Sequence, residues 1–237
     1  MPYRKEKFVD DEIYHITLRA IDNNLIFKDI RDYYRGIFSI YEFNNSNSVS
    51  MQRKRRDRNR FKEGRGRASN FIDEREQLVE ILAFCFMPNH VHLLVRQVKD
   101  GGITKFMSKF GTGYAGYSNR RYNRKGHFFQ DRFYSVHIEN DDQLRIVFTY
   151  IHANPLSLFD PNWKKIKVEN SEEYLNFLND YKWSSYQDYI GIKNFPSVTS
   201  RNFMLELMGG ERGCKDFTKY WIEYKGESEE YKNLFLE

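Results

Sequence analysis

Two cysteines, Cys85 and Cys214, are all that the 237 residues contain. That is too few for a disulfide framework, and they lack the paired spacing of a thiolate metal cluster. Long apolar runs are missing too. The longest, near residue 81, falls far short of the roughly twenty residues that a membrane-spanning helix needs. The opening Met-Pro-Tyr-Arg-Lys-Glu-Lys is charged and holds none of the hydrophobic stretch of a secretory signal. The chain therefore reads as cytoplasmic. It has no internal repeat, and its one biased segment is basic.

What is present supports a real core: 40% of the residues are apolar and 17% aromatic. The length suits one core domain plus an appendage. Net charge is +5, but its distribution says more. Between Met51 and Arg67 stand nine basic residues, Arg53, Lys54, Arg55, Arg56, Arg58, Arg60, Lys62, Arg65 and Arg67, opposed only by Asp57 and Glu63. A local +7 in a chain of +5 leaves −2 for the rest. A concentrated basic segment on a nearly neutral body points to a polyanion partner; the bland alternative is a solvated loop.

Periodicity gives the order of elements. Glu12 to Phe27 alternates, with Ile13, His15, Thr17 and Arg19 on one side and Tyr14, Ile16 and Leu18 on the other, and turns at Asp22-Asn23-Asn24. Residues 28–43 have helical spacing. Strands are expected over 78–87 and 90–98, joined by a tight turn at Pro88. A helix over 103–123 follows, weakened by Gly111 and Gly113, then a strand over 128–138 and a helix over 141–154. Pro155 stops that helix, and Asn140 or Asp141 caps it. The order β-α-β-β-α-β is that of the ferredoxin-like α+β fold, an antiparallel sheet with helices on one face. A further helix comes next. Beyond it lie a connecting region (156–180), an aromatic patch at Tyr181-Lys182-Trp183-Ser184-Ser185-Tyr186, and a helical pair from Ser200 to about Tyr224.

The chemistry-bearing run is Phe84-Cys-Phe-Met-Pro-Asn-His-Val-His-Leu-Leu-Val95. Strand side chains alternate faces, so His90 and His92 project together and form half of a metal site. On the helix over 141–154, Tyr150 and Asn154 are four apart and share a face. An amide oxygen can bind a cation, and a phenol one turn away can reach a phosphate held by it. With the histidines this makes a neutral three-ligand site beside a nucleophile, suited to polarising a phosphodiester; the bland alternatives are two half-buried histidines with hydrogen-bond partners and a core tyrosine whose hydroxyl meets a backbone carbonyl, which spacing alone favours. His152 falls on the other side of the helix and reads as structural or as contacting substrate. Tyr114, Tyr117 and Tyr122 compete for the nucleophile's role, but only Tyr150 has a carboxamide four residues on and a proline fixing the helix end.

These residues resemble the histidine–hydrophobic–histidine (HUH) single-tyrosine transposases. The likeness rests on Met87-Pro-Asn-His-Val-His-Leu-Leu-Val95 and on Asn119-Arg-Arg-Tyr-Asn-Arg-Lys-Gly-His-Phe-Phe-Gln-Asp-Arg-Phe133. It continues in Tyr150-Ile-His-Ala-Asn-Pro155 and Trp183-Ser-Ser-Tyr-x-x-Tyr-x-Gly191, over roughly residues 10 to 192. The Asn-Pro and Trp-Ser-Ser-Tyr elements look most like the branch associated with repetitive extragenic palindromes. The resemblance implies that His90, His92 and Asn154 bind Mg²⁺ or Mn²⁺ and that Tyr150 attacks single-stranded DNA, leaving a 5′-phosphotyrosine and a free 3′-hydroxyl. It implies a single-stranded or hairpin DNA partner, no membrane, and a monomer or homodimer. It also suggests a catalytic domain over 1–192, with its basic insert at 51–67, and a helical C-terminal extension over 193–237. DNA contacts are expected from Arg53, Arg55, Arg56, Arg58, Arg120, Arg121, Arg124 and Lys125, where cations beside Phe128, Phe129 and Phe133 suit an unpaired strand; on alternation the phenylalanines themselves read as core. Three other readings are a hairpin DNA- or RNA-binding protein that no longer cuts, a small-phosphoester hydrolase, and a structural zinc site. The last lacks a fourth protein ligand.

Overall fold

The computed structural model describes residues 7–50, 52–54, 56, 59, 73, 75–130, 132–166, 168, 170–224 and 235. Its centre is a four-stranded antiparallel sheet built from β1 (Ile13–Arg19), β2 (Val79–Phe86), β3 (His90–Gln97) and β4 (Tyr134–Ile138), in the order β2-β3-β1-β4. This is the order of the ferredoxin-like arrangement. The alternation of β1 sends Tyr14, Ile16 and Leu18 to one face, where Val91, Leu93 and Val95 of β3 join them. Helices α1 (Ile30–Phe43) and α2 (Gly102–Arg121) cover that face. Asp29 caps α1, accepting from the N–H groups of Arg31 at 2.8 Å and Asp32 at 3.2 Å. Gly113 does not break α2. A Cβ there would stand 2.4 Å from the Phe43 ring, so the glycine lets the two helices close on each other.

The opposite face is covered as well. Helix α3 (Asp141–Ala153), capped by Asn140 through the Gln143 N–H at 2.9 Å, packs on Leu82, Ala83, Cys85, Leu94 and Ile138. The short α4 (Leu156–Phe159), then α5 (Ser171–Asp180), α6 (Tyr186–Tyr189), α7 (Asn202–Met208) and α8 (Gly210–Tyr224) follow. Met204, Met208, Cys214, Trp221 and Ile222 of the last two share one buried cluster with α3. The helical pair lies where the sequence put it. Helix α5 occupies part of what read as a connecting region, and β4 is shorter than the strand expected over 128–138.

The aromatic patch has a definite job in this layout. Its backbone runs along the free edge of β2: Phe86 N–H donates to Trp183 O at 2.8 Å, and Ser185 N–H donates to Phe84 O at 3.0 Å. Among the described residues no helix is long and apolar enough to cross a membrane.

Candidate functional site

The sheet face beneath α3 gathers the polar residues that alternation in β1 and β3 sends there. Thr17 lies opposite His92 in the β1–β3 register, and Arg19 lies opposite His90. The rings of His90 and His92 are 4.8 Å apart and nearly perpendicular. His92 Nδ1 is 2.9 Å from His15 Nε2 and 3.1 Å from Thr17 Oγ1. Those two contacts fix its ring and leave Nε2 buried with no hydrogen-bond partner. His90 Nδ1 is tied to Asn89 Oδ1 at 2.7 Å, so its other ring nitrogen is the one that can take a ligand. Burial, reinforced by the neighbouring His90, His15, Arg19 and Lys164 charges, holds the His92 imidazole well below the usual histidine range. A neutral imidazole is the metal-binding form.

Helix α3 brings the tyrosine to this face. The Tyr150 ring is 5.7 Å from His92 and 5.9 Å from His15, edge-on to both. It is 3% exposed. Phe235 stacks on it at 4.3 Å, and Lys164 Nζ stands 5.4 Å from its centroid. Asn154 keeps helical backbone angles at the C-cap, so its i+4 relation to Tyr150 holds. Its side chain is buried, with Nδ2 unpartnered.

The other tyrosines lie across the sheet. Tyr114, Tyr117 and Tyr122 surround Asp32 on α1. Tyr122 donates to its carboxylate at 2.6 Å and Tyr117 at 2.9 Å, while Tyr114 donates to the Ile26 carbonyl at 3.0 Å. Burial first, and the Asp32 charge with it, pushes all three phenols above their ordinary range. Tyr117 and Tyr122 donate to a buried carboxylate, which favours the protonated phenol, and Tyr114 spends its proton on a backbone carbonyl.

His152 points away from the histidine cluster. Its Nε2 bonds Ser185 Oγ at 2.7 Å, and that oxygen also accepts the Phe84 N–H at 2.9 Å. Burial drives the imidazole down to about 3. Of the two roles open to this residue, the geometry shows the structural one: it joins α3 to the segment that lines β2.

The basic residues divide. Arg121 pairs with Asp29 and, at 2.5 Å, with Asp32, so its guanidinium is held between α1 and α2. Arg120 and Lys125 are exposed, and Arg124 lies over the Phe128 ring at 5.2 Å. The loop they lead into meets the end of the sheet where His90 begins β3. There Gln130 N–H donates to Arg19 O at 3.1 Å and Ala20 N–H to Asn89 O at 3.0 Å. Phe128 is buried, and Phe129 and Phe133 pack against the same core. In the insert, Arg53 and Arg56 are exposed and Lys54 pairs with Glu42 at 3.3 Å. Arg55 and Arg58 lie outside the described residues.

Sequence reasoning missed His15, Thr17 and Lys164. The first two could be seen as polar residues on one face of β1, but only the register shows that they meet His92. Lys164 sits in an irregular segment with no periodicity.

Residues 49–154 match the family described as "Transposase IS200 like". The matched stretch begins at the basic insert and ends on Asn154, enclosing His90, His92 and Tyr150. Two solved structures are similar. One is described as the REP-associated tyrosine transposase bound to a REP hairpin, with 12% identity, a TM-score of 0.46, and coverage of 85% of this chain and 93% of that one. The other is the tRNA(His) guanylyltransferase from Saccharomyces cerevisiae, with 10% identity, a TM-score of 0.32, and coverage of 97% and 86%. No curated protein matches the sequence.

Proposed function

We propose that this chain is a metal-dependent single-stranded DNA strand transferase in which Tyr150 is the nucleophile and His90, His92 and Asn154 hold the ion. The observation that carries the reading is the meeting of Tyr150 with His92, ring to ring at 5.7 Å, over a sheet face that carries both histidines.

The donor set fits a catalytic divalent ion. Among the described residues no group of three or more His, Cys, Asp or Glu side chains could hold a metal ion, so the third donor proposed here is a carboxamide. Two imidazoles and a carboxamide leave coordination positions for a substrate oxygen, as catalytic sites do. The buried, unpartnered His92 Nε2 is what a ligand here would satisfy. Mn²⁺ suits nitrogen donors better than Mg²⁺. When bound, the ion supplies charge stabilisation at a non-bridging phosphate oxygen.

The chain's own residues do the rest. Tyr150 Oη forms a bond to phosphorus as it loses its proton. The bond from phosphorus to the 3′ oxygen breaks, and that oxygen keeps the electron pair and takes up a proton. The products are a 5′-phosphotyrosine and a free 3′-hydroxyl, and attack by such a hydroxyl on the phosphotyrosine rejoins the strand without external energy. His15 and Thr17 hold the His92 ring through Nδ1, so that Nε2 is left to bind the ion. Arg120, Arg124 and Lys125, at the His90 end of the sheet, track the single strand. The motif resemblance favours a hairpin as its form.

Incubating the full chain with a single-stranded hairpin oligonucleotide and Mn²⁺ tests this reading. A denaturation-resistant protein–DNA adduct is expected, and its absence over a range of hairpins and flanks overturns the reading.

A further inference from the structure

We infer that Lys164 is a further catalytic residue, the cation that takes the non-bridging phosphate oxygen left over by the metal. This rests on the function proposed above. A phosphodiester under in-line attack has two non-bridging oxygens, and both gain charge as the phenolic oxygen adds. The three ligands assigned to the ion are neutral, so the protein itself adds no positive charge through them. Lys164 supplies it. Its Nζ stands 5.4 Å from the centroid of the Tyr150 ring, and the phenolic oxygen sits at the rim of that ring. A long side chain with three rotatable donors can move from the ring to an oxygen beside it.

Its position in the chain fits the task. Lys164 is exposed on the segment between α4 and α5, yet that segment is anchored by Trp163, which is 2% exposed and belongs to the cluster beneath α3. The neighbouring Lys165 is also exposed, and no ring contact ties it to Tyr150. Arg19, opposite His90 in the register, is the second cation of this face, but it belongs to the other strand partner and lies on the His90 side. Of the two, Lys164 is the one that touches the Tyr150 ring.

The test is single-turnover adduct formation at saturating Mn²⁺ and hairpin DNA, using the full chain as wild type, Lys164→Met and Lys164→Arg. Removing one donor from a developing oxyanion typically costs about 10²–10³ in rate. For an exposed lysine, the loss expected in Lys164→Met is roughly ten- to hundredfold. Lys164→Arg, which keeps the charge, recovers most of it. Mn²⁺ affinity and hairpin affinity stay within about twofold of wild type, because the lysine acts on charge that builds during attack. A second measurement replaces one non-bridging oxygen of the scissile phosphate with sulfur, each diastereomer in turn. One diastereomer should slow the wild type and add nothing to Lys164→Met. An unchanged rate in Lys164→Met, or a sulfur effect equal in both proteins for both diastereomers, overturns the assignment of Lys164 and leaves Tyr150 standing. Failure of the wild type to form any adduct overturns both.

Discussion

Ser185→Ala should loosen helix α3 from the sheet, and the structure sets the size of the effect. The Ser185 hydroxyl serves two buried groups at once, the Phe84 N–H at 2.9 Å and His152 Nε2 at 2.7 Å. Both lose their partner when the oxygen is removed. A buried polar group left unsatisfied costs roughly 1–3 kcal/mol, so the pair comes to about 2–6 kcal/mol. In a chain of this length each kcal/mol lowers Tm by about 2–4 °C, and the expected fall is roughly 4–24 °C. A catalytic effect should accompany it. His152 lies between Tyr150 and Asn154 on α3, and its bond to Ser185 sets how that helix stands over His90 and His92. A misplacement of about 1 Å can cost on the order of 10²-fold in rate, so adduct formation should slow by more than the folded fraction explains. The assay pairs thermal unfolding by circular dichroism with single-turnover adduct formation well below Tm. Adding His152→Ala to Ser185→Ala should cost less than the sum of the two, since the groups share one interaction. A Ser185→Ala protein that melts within about 2 °C of wild type and forms adduct at the wild-type rate refutes the reasoning.

Three further outcomes are expected. In calorimetric titration with Mn²⁺, His90→Ala and His92→Ala should lose measurable binding and Asn154→Ala should weaken it less, because an amide oxygen is the poorest donor of the three; unchanged affinity in both histidine variants removes the proposed metal site. Neutralising Arg53, Arg55, Arg56 and Arg58 should flatten the slope of log affinity against log salt by roughly two to three units while hairpin preference survives, since each phosphate contact on a single strand contributes about −0.7. Unchanged low-salt binding makes the insert a solvated loop. Stability should fall with pH below the usual histidine range, because buried His152 is held down to about 3. Its contribution is complete above the unfolded pKa of about 6.5 and is lost at about 1.4 kcal/mol per pH unit as pH falls from there toward the folded value. Urea unfolding of wild type and His152→Gln between pH 7 and 4 checks this, and identical pH slopes count against it.

The parts of the site that were legible in the sequence are those that depend on one element at a time. Strand alternation puts His90 and His92 on one face, and helical spacing puts Tyr150 one turn before Asn154. The sheet order follows from the order of elements. What depends on two elements meeting was hidden. His15 was visible as one polar residue of β1, but its bond to His92 depends on the β1–β3 register. Arg121 read as a DNA contact because nothing local shows that its guanidinium meets Asp32, 89 residues earlier. The same holds for Tyr114, Tyr117 and Tyr122, whose place across the sheet from the histidines comes from the packing of α2 on α1. The side of the sheet taken by α3 was likewise not fixed by the pattern, since the apolar positions of β2 are buried on both faces. Lys164 left no signal, because irregular backbone has no period to read.

The identity of the nucleophile is tested most directly by mapping the covalent product. Digestion of the Mn²⁺-dependent hairpin adduct, followed by peptide mass spectrometry, should find the nucleotide on Tyr150. The Tyr150→Phe protein should bind the same hairpin within about twofold and form no adduct, because only the phenolic oxygen is lost. A nucleotide found on Tyr114, Tyr117 or Tyr122, or an adduct that persists in Tyr150→Phe, contradicts the account.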